Sequence, residues 1–554
     1  MRITTTAMAF LTTALAACTA SPPVENVAPP APAISVDTMK EVVKTLASDE
    51  FEGRAPGSIG EEKTLAYLQD AFTNAGAKPG NNGSWFQDVP LAEITAKNIS
   101  PLTFKGKNTA MSLKYGPEMM AFSYRLTPHI EVKDSPVVFV GYGINAPEKN
   151  WNDYAGVDVK GKTVIILVND PDYEMTGLDG PFNGRAMTYY GRWTYKYEEA
   201  ARQGAAAAII VHDTVPAAYG WNVVESSWTG PQHVADAENG HMDQTKVNGW
   251  IQLDKARTLM KNAGQDLDAL MAAAKKPGFK AVDLGMTASL SLDNDIEKQM
   301  SKNVVALLPG TTHADETLLY TAHWDHLGHC KPDATGDDIC NGAIDNATGV
   351  AALVALAKAH AQAGPTDRSI VFLAVTAEES GLLGAAYYGD HPIYPLEKTA
   401  GGINMDAIRM TGLAHNMVVV GKGKSTLDDY LNTALAAQNR VASNEPTPEK
   451  GFYYRSDHFT LAKHGVPMLY TENGDDLVVG GKEAGLANLN EYTDNHYHAP
   501  SDEYDPNWNW DGVVADVQAY YAVGRAIATS QDWPNWVEGD EFRAIRDESA
   551  AARE

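Results

Sequence analysis

The chain has 554 residues, 44% hydrophobic and 21% charged, a composition that excludes a disordered protein and leaves room for two or three globular domains. Its formal net charge of −27 at pH 7 argues against nucleic acid as a partner, because that binding needs basic groups to replace phosphate counterions. The acidity reads as a solvated surface.

At the N-terminus, Arg2 precedes a short apolar stretch, Ala7 to Ala17, broken only by threonines. It falls well short of the ~20 apolar residues of a membrane-spanning helix and reads as an export signal. It ends in Leu15-Ala16-Ala17-Cys18, which resembles a bacterial lipobox, so residues 1–18 are expected to be a lipoprotein signal peptide with the lipid carried on Cys18. The Pro/Ala-rich segment 19–34 follows as an extended tether. Thr19, where inner-membrane retention would call for aspartate, favours the outer membrane as the destination, or else the periplasm. Membrane contact is expected through this anchor alone.

From Ser35 to Ala77, Met39, Val42, Val43 and Leu46, and then Leu65, Leu68 and Phe72, recur at helical spacing around a turn-rich loop, Phe51 to Ser58. From about Ser135 the texture becomes β, with Val137–Val140, Thr163–Val168 and Ile209–Val211 as strands. Residues 131–284 read as an inserted β-rich domain without metal-ligand spacing of its own. Beyond Asn303 strands and helices alternate: strands at Asn303–Leu308, Leu318–Ala322, Ile370–Val375 and Gly402–Asn404, helices at Gly349–Gln362, Gly381–Tyr388, Thr426–Gln438, Ser456–Lys463 and Gly512–Thr529. This alternation predicts an α/β domain with a mostly parallel central sheet flanked by helices, built from residues 35–130 and 285–536. Residues 537–554 are highly charged and are expected to fray. Cys330 and Cys340 share one loop; an oxidising compartment would join them, and a zinc site lacks the second ligand pair that it would need.

Several short polar motifs fall at or near the ends of these strands. His323-Trp324-Asp325 follows an apolar run, which puts an imidazole at a strand end and Asp325 in place to orient it. Asp345 and Asn346 stand before an Ala-rich helix, where either could equally serve as its cap. Glu378 and Glu379 close a strand without charged residues; adjacent acids point in different directions, so one can bind metal while the other handles a proton. Asp406 ends another strand, and His498 lies in a polar loop with Pro500 and Asp502. Together these are two imidazoles, three ligand carboxylates and a spare carboxylate, a set that suits a co-catalytic pair of zinc ions in metal-assisted hydrolysis. A His-Glu-x-x-His helix and a Gly-x-Ser-x-Gly elbow are absent, and Gly423-Lys424-Ser425 lacks the opening glycine of a phosphate loop.

In this order the motifs resemble metallopeptidase family 28, the di-zinc exopeptidases that include aminopeptidases and glutamate carboxypeptidases. The carrying residues are His323-x-Asp325, Gly342-Ala343-x-Asp345-Asn346-x-x-Gly349, Ala377-Glu378-Glu379-x-Gly381, Asn404-Met405-Asp406, Arg455-Ser456-Asp457-His458 and Tyr497-His498-x-Pro500-x-Asp502. The resemblance implies the zinc-exopeptidase fold (phosphorylase/hydrolase-like) and likens the insert to a protease-associated domain. It implies that Asp345 bridges two zinc ions, with His323 and Asp406 at one and Glu379 and His498 at the other. Glu378 would be the general base, and Tyr453, with Tyr454 as a rival, would steady the oxyanion. It also implies a cis peptide between Asp345 and Asn346. The expected activity is removal of N-terminal residues from peptides; carboxypeptidase or dipeptidase action is the alternative, ahead of a glutaminyl cyclase or a non-catalytic relative.

Overall fold

A computed structural model describes residues 32–553, so the lipobox and most of the tether lie outside the described residues. Helix α1 (Val36–Leu46) is capped by Ser35, whose hydroxyl accepts from Thr38 N at 3.2 Å, and it buries Met39, Val42, Val43 and Leu46. Helix α2 (Ile59–Asn74) starts at Ser58 in the same way. Between them the turn-rich loop carries Arg54, which is fully buried.

The strands that matter for the site are β1 (Phe86–Lys97), β2 (Val282–Leu308), β3 (His313–His323), β4 (Arg368–Val375), β5 (Thr399–Asn404), β6 (Asn416–Val419), β7 (Val441–Asn444) and β8 (Met468–Glu472). Strands β4, β3, β5 and β8 lie side by side and parallel in that order. At one edge β2 runs antiparallel to β4; at the other, β6 runs antiparallel to β8 and parallel to β7. Every residue of β4 and β5 is buried, the mark of a strand covered on both faces. Ile370, Phe372 and Ala374 of β4 point into the larger core, which they share with α1, α3 (Thr348–Gln362) and α4 (Asp511–Ala528). Val371, Leu373 and Val375 point the other way, against Ala385, Tyr388, Leu461 and Val466. Each such side chain contributes about 1.5–3 kcal/mol by leaving water, so the ends of β3, β4 and β5 are anchored by packing rather than by the polar groups that follow them.

Strand β2 is 27 residues long. Its C-terminal part pairs with β4, and its earlier residues pair with β1 and with His129–Phe139, so both halves of the molecule share one sheet of 17 strands. The second unit has parallel neighbours His129–Phe139, Thr163–Leu167, Ala207–His212 and Val247–Gln252, and a core of its own. That core takes in Leu102, Phe104, Leu113 and Met119 at one end and Leu290 and Leu292 at the other, so it reaches outward beyond the boundaries expected at 131 and 284.

The charged tail does not fray as expected. Trp536 and Phe542 are buried, a helix forms at Arg543–Glu548, and Asp540 and Glu541 pair with Lys424 at 2.7 and 3.0 Å. The apolar anchors and the cation outweigh the local run of charge. Cys330 and Cys340 form a disulfide across the small hairpin of Gly328–His329 and Ile339–Cys340.

Candidate metal centre

The parallel register sets the site. His323, the last residue of β3, stands opposite Val375, the last of β4, and Thr321 stands opposite Asn404, the last of β5. The segments that leave these strand ends therefore emerge together, where parallel sheets gather ligands. They bring His323, Glu378, Glu379 and Asp406 to one place. The turn before α3 adds Asp345, and the loop before α4 adds His498.

Asp345 lies at the middle. Its Oδ1 is 3.4 Å from Nε2 of His323, which in turn is 3.2 Å from Oδ1 of Asp406. Its Oδ2 is 3.3 Å from Nε2 of His498, which is 3.0 Å from Oε2 of Glu379. Each oxygen of one carboxylate thus faces a different histidine–carboxylate pair. Two ligands at about 2.0–2.1 Å from a tetrahedral ion stand roughly 3.3 Å apart, so this spacing fits metal coordination. His323 with Asp345 and Asp406, His323 with Glu378 and Glu379, and His326 with Asp345 and Glu379 are each groups able to hold a metal ion. The peptide bond between Asp345 and Asn346 is cis.

The electrostatics fit the same account. Burial pushes Glu378 well above the usual carboxylate range, opposed by His323 and reinforced by Asp406 and Glu379. For His323 burial disfavours the charged form, but Glu378 and Asp406 outweigh it and hold the imidazole well above its ordinary value. Burial also raises Glu379, yet His498 and His326 bring it down to about 2. Close-set buried acids of this kind need positive charge to balance them.

The surroundings hold these groups in place. Asp325 is fully buried; its backbone oxygen is 3.1 Å from Nδ1 of His323, and its Oδ1 accepts from Glu378 N at 3.1 Å. Its carboxylate stays 3.9 Å from Nδ1, so the main chain is the nearer partner of the imidazole. Burial lifts Asp325 to about 7, against the pull of His323. The oxygens of Asp502 accept from the N–H groups of Ile344 and Asp345, both at 3.0 Å, which fixes the bridging turn. The side chain of Asn346 ties that turn to the Asp406 loop through Met405 O and Ala407 N, each at 3.1 Å. Ser456 donates to Oδ2 of Asp406 at 2.6 Å and accepts from Asn404 at 2.7 Å.

Two supporting residues were missed in the sequence. Arg54 donates to the carbonyls of Leu46, Trp324, Asn341 and Gly342 at 2.5–2.9 Å, beneath both ligand loops. Burial lowers it to about 10, while Asp325, Asp502 and Asp345 favour its charge. His326 places Nδ1 2.6 Å from Oε1 of Glu379. Its spacing of three residues from His323 was the available signal.

Tyr453 is not brought to this cluster. It is buried beside Lys424, and after burial itself the charges that act on its hydroxyl are those of Asp540, Glu541 and Asp428. Tyr454 donates to Glu541 at 2.9 Å. Instead, Tyr497 stacks on His498 at 3.9 Å, and Tyr470 is buried against His458, its phenol raised first by burial and then by Asp406.

Fold and site define an α/β protein with a metal-ligating cluster at the carboxyl ends of its parallel strands. Residues 303–522 match the sequence profile of Peptidase family M28. Aminopeptidase YwaD of Bacillus subtilis (strain 168) is 24% identical over 251 residues, 43% of this chain and 48% of that protein. The vacuolar membrane protease of Saccharomyces cerevisiae is 35% identical over 177 residues, 31% of this chain and 16% of the yeast protein. The chain thus spans about half of the first relative and less of the second. Among solved structures, the aminopeptidase from Aneurinibacillus sp. strain AM-1 is 19% identical with a TM-score of 0.46, covering 89% of this chain and 94% of that one. The zinc aminopeptidase from Bacillus subtilis is 15% identical with a TM-score of 0.39, covering 92% and 99%.

Proposed function

We propose that the chain is an exported, zinc-dependent aminopeptidase that hydrolyses N-terminal residues from peptides. The observation that carries this reading is the double contact of Asp345, with one oxygen toward His323 and Asp406 and the other toward His498 and Glu379. In this reading those five residues hold two zinc ions. Bound zinc would supply a Lewis acid for the scissile carbonyl and a nucleophile at neutral pH.

The remaining work falls to the chain's own groups. Glu378, beside the ligands and held by its N–H to Asp325, takes a proton from the attacking water and returns it to the leaving amine. Asp325 fixes the orientation of His323, and Tyr497 or Tyr470, rather than Tyr453, faces the developing oxyanion. The second unit would act as a protease-associated domain. Lipid on Cys18 would tether the enzyme at the outer membrane or leave it periplasmic. The match of residues 303–522 to the peptidase family profile and the Bacillus relative's own description as an aminopeptidase support the activity.

The test pairs Glu378→Gln with metal analysis. The substitution is expected to abolish cleavage of aminoacyl chromogenic substrates while zinc stays near two per chain. Turnover retained in that variant removes Glu378 as the base, and cleavage of N-blocked peptides from their C-terminus overturns the aminopeptidase assignment.

A further inference from the structure

The second unit has parallel strand ends of its own. His129–Phe139, Thr163–Leu167, Ala207–His212 and Val247–Gln252 run the same way, and His212 stands opposite Gln252, each the last residue of its strand. Beyond these two lies a cavity of about 310 Å³, lined among others by His212, Asp213, Trp221, Gln252, Asp254 and Arg257. Crevices at the carboxyl ends of parallel strands are where open α/β sheets take their ligands. None of these residues belongs to the metal centre.

The polar groups of this cavity are mostly acceptors left without donors. His212 is only 4% exposed, and its Nε2 donates to Tyr219 O at 3.1 Å, so Nδ1 is left as an acceptor with no protein donor opposite it. Burial holds the ring below its ordinary pKa, against the pull of the Tyr219 carbonyl and Asp213, so it is neutral at pH 7. Gln252 spends its amide N–H on Pro117 O at 2.5 Å and keeps its own oxygen. Asp213 accepts from Val215 N at 3.4 Å through Oδ1, and among the described residues it pairs with no cation. Lys255 is shared by Asp254 and Glu118 at 3.2 and 3.1 Å, and Arg257 is held by Asp268 at 2.5 Å, so neither basic neighbour answers Asp213. Trp221 closes one side: its ring packs on His212 at 5.5 Å and is fixed by donation from Nε1 to Gly116 O at 3.0 Å. Val215 and Val223, two residues on from Asp213 and Trp221, are 78% and 39% exposed.

We infer that this cavity binds the basic side chain of a peptide, a lysine ammonium or an arginine guanidinium. Such a group carries donors only, which match an imidazole nitrogen, an amide oxygen and two carboxylates. The indole face adds attraction for positive charge. An anion would be repelled by Asp213 and Asp254, and a bare metal ion would have no use for the indole. The exposed valines give the residues on either side of the basic one an apolar surface to lie on, which favours a peptide over a free amino acid. The site stands apart from the peptidase reading, since it needs neither zinc nor Glu378. It makes the second unit a peptide-holding module in its own right.

The experiment uses the full, zinc-loaded chain and probes blocked at both ends, which offer an exopeptidase no free terminus. They are N-acetyl-lysine amide and N-acetyl-arginine amide, their uncharged counterparts from norleucine and citrulline, the tripeptide N-acetyl-Val-Lys-Val amide, and glucose as a neutral ring. In calorimetry the basic probes should bind at about 1 mM or tighter, the uncharged ones roughly tenfold more weakly, and the tripeptide most tightly. Asp213→Asn, which keeps the helix cap, and Trp221→Leu should each weaken lysine binding by about three- to tenfold. Asp254→Asn should act in the same direction, at a side chain 66% exposed where folding is not at stake. Equal binding of the lysine and norleucine probes, no binding of either basic probe at about 10 mM, or affinities unchanged by all three substitutions overturns the site. Glucose bound in place of lysine overturns it too and gives the cavity to a polyhydroxy ring. A chain that binds the lysine probe but cleaves no peptide upholds the site and removes only the peptidase reading.

Discussion

His326 and Glu379 meet at 2.6 Å, Nδ1 against Oε1, while the second oxygen of the same carboxylate faces His498 at 3.0 Å. The carboxylate is therefore held from behind as it presents its other oxygen to the site. Outer partners of this kind typically alter metal affinity by about 10–100-fold. His326→Ala is expected to weaken zinc binding by that order, measured by competition with a chromogenic chelator. Unaltered affinity would leave His326 a packing residue.

Arg54, fully buried, joins three carbonyls of the segments that carry the ligands, those of Trp324, Asn341 and Gly342, to that of Leu46 at the end of α1. Arg54→Met would strand those carbonyls and remove positive charge from beneath Asp325, Asp345 and Asp502. A loss of about 3 kcal/mol or more is expected, read from denaturant unfolding of the metal-free protein. A change of under ~0.5 kcal/mol would mean that the loops hold themselves.

Buried His360, in α3, is 3.0 Å from the hydroxyl of Tyr320, which donates onward to Tyr520 O; its Nδ1 has no partner. Burial, with Arg525 adding to it, pushes the imidazole from 6.5 down to about 3. Between those values the unfolded chain binds the proton and the folded one does not, so stability falls as pH falls through that window. His360→Gln should remove a slope of up to about 1.4 kcal/mol per pH unit below pH 6.5, seen by comparing unfolding midpoints of the two proteins from pH 7 to pH 4. Parallel curves for the two proteins would contradict this origin.

Tyr497→Phe is expected to lower kcat on the order of 10-fold or more, and Tyr453→Phe to leave it within about twofold, since only the first ring borders the ligand cluster. Steady-state kinetics decide between them; the reverse order would return the oxyanion role to Tyr453.

The ligand set was legible because β3, β4 and β5 are covered on both faces. Their sequences are unbroken apolar runs, and the first polar residue after each run marks a strand end. Arg54 escaped because a single guanidinium carries no spacing and takes its meaning only from what it touches; His326 offered only its three-residue distance from His323, outside the run of strand-end polar groups. The start of the second unit at Leu102 was hidden in strands of four residues, Leu102–Lys105 and Ala110–Leu113, too short for alternation to register. Helix Gly481–Asn495 was missed as well, since it buries only Gly485 and Tyr492 and has little apolar face to read. The tail was misjudged from its charge, which Lys424 neutralises from far away in sequence.

Strand β2 gives the molecule an unusual economy of motion. One uninterrupted 27-residue strand is backbone to both units, so no pliable linker lies along it to let the second unit swing as a separate body. A hinged enzyme admits and releases its substrate by opening and closing. Here, entry and exit would have to be managed by side chains and loops along a fixed seam, and pulling the second unit away would tear hydrogen bonds out of the very sheet that carries His323.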